Sequence, residues 1–289
     1  MKLHTINTGY FKLDGGAMFG VVPKSMWNKL NPADENNMCS WALRCLLIED
    51  GDRKILIDTG MGDKQDPKFF GHYYLHGDDS LDQSLANIGL KKDDITDVIL
   101  THLHFDHCGG SIVKVGDKYL PAFKYATYWS NERHWKWATE PNEREKASFL
   151  KENILPIQAS GQLKMVELPA AETAEATELE ECAFMPGTSL LIVNGHTRAM
   201  MLPKINYKGR TIVFMADLLP SVAHLPLPYV MAYDMFPLTS LQEKKSFLQV
   251  AADNNYVLFF EHDPVYECCD VKVTDKGICM NDHFRLEDI

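Results

Sequence analysis

Apolar positions along the chain fall into short runs separated by turn residues, the pattern of an α/β protein. Trp41–Ile48 reads as a strand, Glu49–Asp52 supplies turn chemistry, and Lys54–Asp58 reads as a second strand. Leu81–Ile88 has helical spacing, with Ser80 or Asp79 placed to cap it and Gly89 to stop it. Asp97–Leu100 is a short apolar strand that delivers the chain to Thr101. Asn142–Gln158 follows Pro141 with amphipathic spacing and is expected to be a helix ended by Pro156. Further strands are expected at Leu163–Leu168, Ser189–Val193, Arg198–Leu202, Thr211–Met215 and Tyr256–Phe260. A helix over Leu241–Asn254 follows Thr239-Ser240, with Glu243 suited to a capping box. Thr274–Gly277 has the chemistry of a hairpin turn. Both halves share a strand-strand-helix-strand rhythm, and no Gly/Ser linker divides them. The expectation is one α/β domain over 1–289, made of two similar halves. Residues 1–40 are expected to be an N-terminal extension that contributes to a pocket or to a contact between copies.

Composition narrows the class. Apolar residues make up 45% and charged residues 24% of the 289 positions, which excludes a disordered, collagen-like or disulfide-scaffold chain. The net charge of −11 argues against a nucleic-acid partner, because phosphate binding needs a basic footprint. No stretch approaches the roughly 20 apolar residues of a membrane span, and Met1–Gly16 has no apolar run to serve as a signal peptide. The seven cysteines are odd in number, irregularly spaced and without a C-x-x-C pair. Neither a disulfide framework nor a zinc ribbon is suggested, and a reducing, cytoplasmic location is expected.

One segment concentrates chemistry: Leu100-Thr-His102-Leu-His104-Phe-Asp106-His107-Cys-Gly-Gly110. Three imidazoles and a carboxylate just beyond a strand are ligands suited to Zn²⁺ or a similar ion. The His102-x-His104 alternation puts both rings on one side of an extended segment. Asp106-His107 then needs a sharp turn, for which Gly109-Gly110 offer backbone freedom. One loop cannot complete a two-metal site, and three residues at other strand ends are candidates to do so. His196 stands in a turn between two β runs, Asp217 closes the apolar run Ile212–Ala216, and His262 follows Val257–Phe260.

The H-x-H-x-D-H motif, followed in order by a His, an Asp and a His, resembles the metallo-β-lactamase superfamily from about Trp41 to Tyr266. The chain looks closest to the lactonase and organophosphate-hydrolase branch, whose N-terminal segment Leu13–Lys24 resembles. The resemblance implies a four-layer αβ/βα sandwich with metals at one edge. It implies His102, His104 and His196 on one metal, Asp106, His107 and His262 on the other, Asp217 between them, and Asp58 orienting a ligand imidazole. Asp217 in place of Cys, and His104 in place of Glu, favour a dinuclear zinc-type hydrolase over the antibiotic-hydrolysing and di-iron branches. The implied cofactors are two divalent ions, Zn²⁺ first, with Mn²⁺, Fe²⁺ and Co²⁺ compatible with the same donors.

Such ions bring water to a pKa near 7. The implied activity is attack by a metal-bridging hydroxide on a lactone or related ester, in the manner of N-acyl homoserine lactonases, with Asp106 and Asp217 in the machinery. Acyl-homoserine lactonases often place a Tyr three residues after the bridging Asp, where this chain has Pro220; His224 and Tyr229 are the candidate acids instead. Phe69, Phe70 and Tyr73, in the aromatic stretch Phe69–His76, suit either a pocket wall or a homodimer contact. The resemblance implies that Met18 and Phe19, with Trp27, cover the site from the N-terminus. The stretch Tyr128–Trp137 reads as core packing, Cys108 as a small buried hydrophobe, and Glu172–Glu181 as a solvated face. His4, His72, His76, His134 and His283 have no companion pattern and read as ordinary. Phosphotriester or aryl-ester hydrolysis is the nearest alternative. Thioester hydrolysis is disfavoured because the C-terminal region is not conspicuously basic, and a metal-containing sensor or binding protein is the non-enzyme alternative.

Overall fold

The computed structural model describes residues 1–169 and 179–289. Most of the acidic run Glu172–Glu181 therefore lies outside the described residues. The chain divides into two compact units, Met1–Tyr10 with Leu43–Glu167 and Phe11–Ala42 with Leu168–Ile289. The architecture is mixed α/β with two large sheets, the class that the hydrophobic pattern implies.

The first sheet has the order β1-β2-β3-β4-β7-β8, formed by β1 (Lys2–Asp14), β2 (Met38–Asp50), β3 (Arg53–Ile57), β4 (Asp97–Ile99), β7 (Thr127–Asn131) and β8 (Leu163–Val166). A separate hairpin pairs β5 (Ile112–Val115) with β6 (Lys118–Pro121). The N-terminal residues Lys2–Tyr10 belong to the first unit and lie in its sheet as part of β1. Only Ile6, Gly9 and Phe11 of β1 are buried, so a half-covered strand left no apolar run to see. The helix Leu81–Asn87 begins as expected, Ser80 Oγ accepting from the Gln83 amide at 3.2 Å. Its core contacts, Leu81 and Leu85, join Leu47, Leu56, Val98, Leu100 and Tyr128 in one apolar cluster.

The helix expected over Asn142–Gln158 is shorter and shifted, at Lys151–Ala159. Asn142 Oδ1 accepts from the amides of Arg144 and Glu145 at 2.9 and 3.1 Å, a local turn that competes with helix. Pro156 lies inside the helix rather than ending it, and forgoes only the one bond its missing N–H would make to the first turn.

The second sheet runs β15-β14-β13-β12-β11-β10-β9, formed by β9 (Glu180–Met185), β10 (Thr188–Val193), β11 (Met200–Tyr207), β12 (Arg210–Phe214), β13 (Val257–Phe259), β14 (Cys268–Thr274) and β15 (Gly277–Phe284). The β14–β15 hairpin turns at Thr274–Gly277, as the sequence suggests. A helix over Pro237–Asp253 packs on β14 and β15. It starts four residues before the expected Leu241 because Pro237 fits the first helical position. Glu243 thus lies within the helix and serves another purpose, described below.

Each unit contains the same device. An antiparallel hairpin, β2–β3 or β11–β12, is followed by a crossover to a parallel neighbour, β4 or β13. Ile57 pairs with Ile99 in the first unit and Phe214 with Phe259 in the second. These paired strand ends aim the chain at its chemistry.

Candidate metal centre

In the first unit, β3 ends in Asp58, whose amide donates to the Ile99 carbonyl at 2.9 Å. Asp58 sits at φ 56°, a left-handed conformation that Asp tolerates better than most residues. Its fully buried carboxylate accepts from the Thr101 amide at 2.8 Å and the Thr101 hydroxyl at 2.6 Å, and meets His107 Nδ1 at 3.1 Å. It therefore ties the two ends of the segment 101–107.

The glycines act differently from expectation. Gly109 has φ −60° and Gly110 no positive φ, so left-handed freedom is not used. A Cβ on Gly109 would lie 2.1 Å from the Met61 carbonyl oxygen, and one on Gly110 2.1 Å from that of Thr59. Close backbone approach is what excludes a side chain here.

The imidazoles of this unit are held by one nitrogen each. Thr101 donates its hydroxyl proton to Asp58, so its oxygen accepts from His102 Nδ1 at 3.1 Å. His104 Nε2 donates to Glu145 Oε1 at 3.0 Å, and Trp137 Nε1 donates to the other oxygen of Glu145 at 2.6 Å. His107 Nδ1 faces Asp58, while its Nε2 lies 3.8 Å from Asp106 Oδ2. Fixing one nitrogen as a donor leaves the other with a lone pair. His102 Nε2 and His104 Nδ1 then face each other at 3.0 Å. Two lone pairs at that distance repel unless a cation lies within their reach, so these donors fit a divalent metal. Glu145 and Trp137 carry no local signal of this role, because the Asn142 turn that aims Glu145 lies in a segment with helical spacing. His134, read as ordinary, accepts from the Leu103 amide at 2.9 Å and so steadies the segment between His102 and His104.

The second unit repeats the logic. His196 Nδ1 donates to Asp234 at 2.9 Å, leaving Nε2 3.1 Å from Asp217 Oδ2. His262 Nδ1 donates to the Ala42 carbonyl at 2.8 Å, leaving Nε2 3.2 Å from Asp217 Oδ1. Each Asp217 oxygen thus faces one imidazole nitrogen. Burial alone would push His196 down, but Asp217 and Asp234 outweigh it and hold its pKa up at about 10. The field at Nε2 favours positive charge.

Other candidates fall in different surroundings. His224 is buried, with Nδ1 2.8 Å from Ser221 Oγ and Nε2 2.9 Å from the Met18 carbonyl. Its ring stacks on Phe19 at 4.7 Å, and burial pushes its pKa down to about 3. With both nitrogens engaged, His224 fits packing better than proton donation. Phe19 has no exposed surface and Met18 2%, so both are interior residues of the second unit. Tyr229 is half-buried and edge-on to Phe19. Phe69, Phe70 and Tyr73 lie half-buried on the helix Pro67–Tyr73, where Phe69 and Tyr73 pack on Phe105 at 5.3 and 4.6 Å. Cys108 is the buried hydrophobe expected, its thiol pushed up to about 12 by burial. All seven cysteines are free, and no helix among the described residues is long and apolar enough to cross a membrane.

The ordered ligand motif and the fold together define the class. Residues 44–262 match the model of the metallo-β-lactamase superfamily, and the chain belongs to that superfamily of metal-dependent hydrolases. Among its relatives is the N-acyl homoserine lactonase AiiA of Bacillus thuringiensis subsp. kurstaki, 30% identical over 120 residues, or 38% of this chain. The match spans 44% of that lactonase, less than half its length. The fold is also that of a probable metal-dependent hydrolase from Staphylococcus aureus, with TM-score 0.85 and 29% identity over 98% of this chain and 96% of that one. AidC, a dizinc quorum-quenching lactonase solved with the product N-hexanoyl-L-homoserine, shares the fold at TM-score 0.76 and 21% identity, over 96% and 93% of the two chains.

Proposed function

We propose that the chain is a dinuclear metal-dependent hydrolase that opens a lactone or a related ester. In this reading His102, His104 and His196 hold one ion and Asp106, His107 and His262 the other, with Asp217 shared. Zn²⁺ is the ion proposed, because the donors are imidazole and carboxylate only. The observation that carries the reading is the tautomer pattern: His102, His104, His107, His196 and His262 each have one nitrogen on an oxygen partner and the other turned to a metal-type donor or acceptor. Lactonase relatives direct the choice of substrate.

When bound, the ions supply a nucleophilic hydroxide near neutral pH and a Lewis acid for the developing oxyanion. The chain's own residues fix the donors and shape the pocket. Asp58, Glu145 and Asp234 set imidazole orientation, and Asp106 and Asp217 offset the cationic charge. Phe69, Phe70 and Tyr73 offer an apolar wall for an acyl group. Tyr229 is the acid we favour over His224, because the phenol is half-exposed whereas both nitrogens of His224 are bonded. Pro220, in the place of the tyrosine frequent in acyl-homoserine lactonases, keeps phosphotriesters and aryl esters as the second reading.

A pH-indicator hydrolysis assay on zinc-loaded protein tests this, with acyl-homoserine lactones of several chain lengths, simple lactones, aryl esters and phosphotriesters. Lactone opening that disappears in Asp217→Asn is the expected result. Cleavage of an aryl ester or phosphotriester with lactones untouched would overturn the substrate assignment while keeping the hydrolase.

A further inference from the structure

The helix Pro237–Asp253 carries two adjacent charged residues, Glu243 and Lys244, which reach two different loops of the second unit. Lys244 is 2% exposed, and its Nζ donates to the carbonyls of His224, Pro226 and Tyr229 at 3.0, 3.0 and 2.9 Å. Those three bonds use all the protons of the ammonium. Pro226 and Pro228 have no N–H, so the loop has two fewer amides to offer its carbonyls, and Lys244 adds to the one local bond to Pro226, from the Tyr229 amide at 2.9 Å. Burial pushes Lys244 down to about 8.

Glu243, about 100° further round the helix axis, accepts from the Asn194 amide at 2.6 Å and the Gly195 amide at 3.0 Å. Those amides open the turn that presents His196. The turn is pressed against the same helix: a Cβ on Gly195 would lie 2.3 Å from the Ser240 amide nitrogen. Just ahead of the helix, the Met235 and Phe236 amides donate to the carbonyls of His196 and Gly195 at 3.0 and 2.8 Å.

We propose that Glu243 and Lys244 are paired positioning residues. Glu243 sets the turn that presents His196, and Lys244 sets the loop that follows Asp217 and carries Tyr229. The inference rests on His196 and Asp217 being metal ligands. Apolar side chains of the same size would pack this helix at less desolvation cost, so packing alone does not call for a buried lysine beside a half-buried glutamate.

The test compares wild type, Glu243→Gln and Lys244→Met in the full chain. Zinc affinity is measured by chelator competition, the Co²⁺-substituted protein by visible spectroscopy, and loop order by amide hydrogen exchange. Glu243→Gln is expected to weaken zinc about 10-fold and to shift the cobalt bands, with exchange in 224–230 unchanged. Lys244→Met is expected to speed exchange at Leu225, Tyr229 and Val230 at least about 10-fold relative to the rest of the unit. For any substrate turned over, it should raise KM more than it lowers kcat. If Lys244→Met does not fold, Lys244→Gln retains two donors and gives the same exchange readout. Unchanged zinc affinity and cobalt spectrum in Glu243→Gln, or exchange that rises evenly across the unit in the lysine variants, would reduce the pair to ordinary stabilisation. Neither readout needs a substrate, so lactones that resist hydrolysis leave this test standing, whereas wild type that takes up neither zinc nor cobalt overturns both readings.

Discussion

The two units solve one geometric problem with the carboxylate in different places. In each, a hairpin strand and its parallel neighbour end in register, Ile57 with Ile99 and Phe214 with Phe259. His102 and His262 each stand three residues beyond the second strand of the pair. The residue after Ile57 is Asp58, whose amide bonds the neighbouring strand; the equivalent amide in the second unit belongs to Met215, which donates to the Phe259 carbonyl at 2.9 Å. The second unit's carboxylate, Asp217, comes two positions later and faces His196 and His262 directly. A carboxylate in the first position holds a loop together, and one in the third faces the imidazoles. Position along a strand end, more than residue type, separates the supporting role from the proposed ligand role.

Removing each carboxylate charge in turn separates the two roles. Asp217→Asn is expected to lower turnover by about 10³-fold or more and to reduce bound zinc, read by assay and elemental analysis. Asp58→Asn should cost about 10–100-fold in zinc affinity, since it only orients His107 and the Thr101 segment. Equal losses in the two variants would dissolve the distinction. Gly109→Ala tests the close approach in the first unit, with destabilisation of about 1–3 kcal/mol expected from the clash with the Met61 carbonyl, measured by denaturant unfolding.

The smallest effect concerns His224 in the second unit. Its folded pKa lies below the free value, so the unfolded chain binds a proton first as pH falls. Stability contributed by the neutral ring is complete above about 6.5 and is lost as pH drops towards about 3. His224→Phe should flatten that part of the stability profile; an unchanged profile would remove His224 as its source.

Much of this was legible in the chain. The H-x-H-x-D-H cluster and the strand ends before Asp217 and His262 are local signals, carried by alternation and by runs of apolar residues. The hidden parts depend on distant partners. Glu145 and Asp234 look like surface carboxylates until the fold brings them to His104 and His196. Glu243 looked like a cap because Thr239-Ser240 precede it, yet Pro237 moves the helix start and frees the side chain for the Asn194 turn. Strand β1 is hidden in the sequence because one covered face leaves no continuous apolar run.

The parallel pairing behind His102 and His262 bears on how such a chain can change. Hydrogen bonds between neighbouring strands, not the length of the crossover that joins them, set where each histidine emerges. The crossovers between β3 and β4 and between β12 and β13 can therefore accept insertions and deletions without moving either imidazole. The aromatic helix Pro67–Tyr73 and the proline-rich loop at 224–229 both lie in those crossovers. New substrate preferences could evolve there by indel while His102 and His262 keep their places.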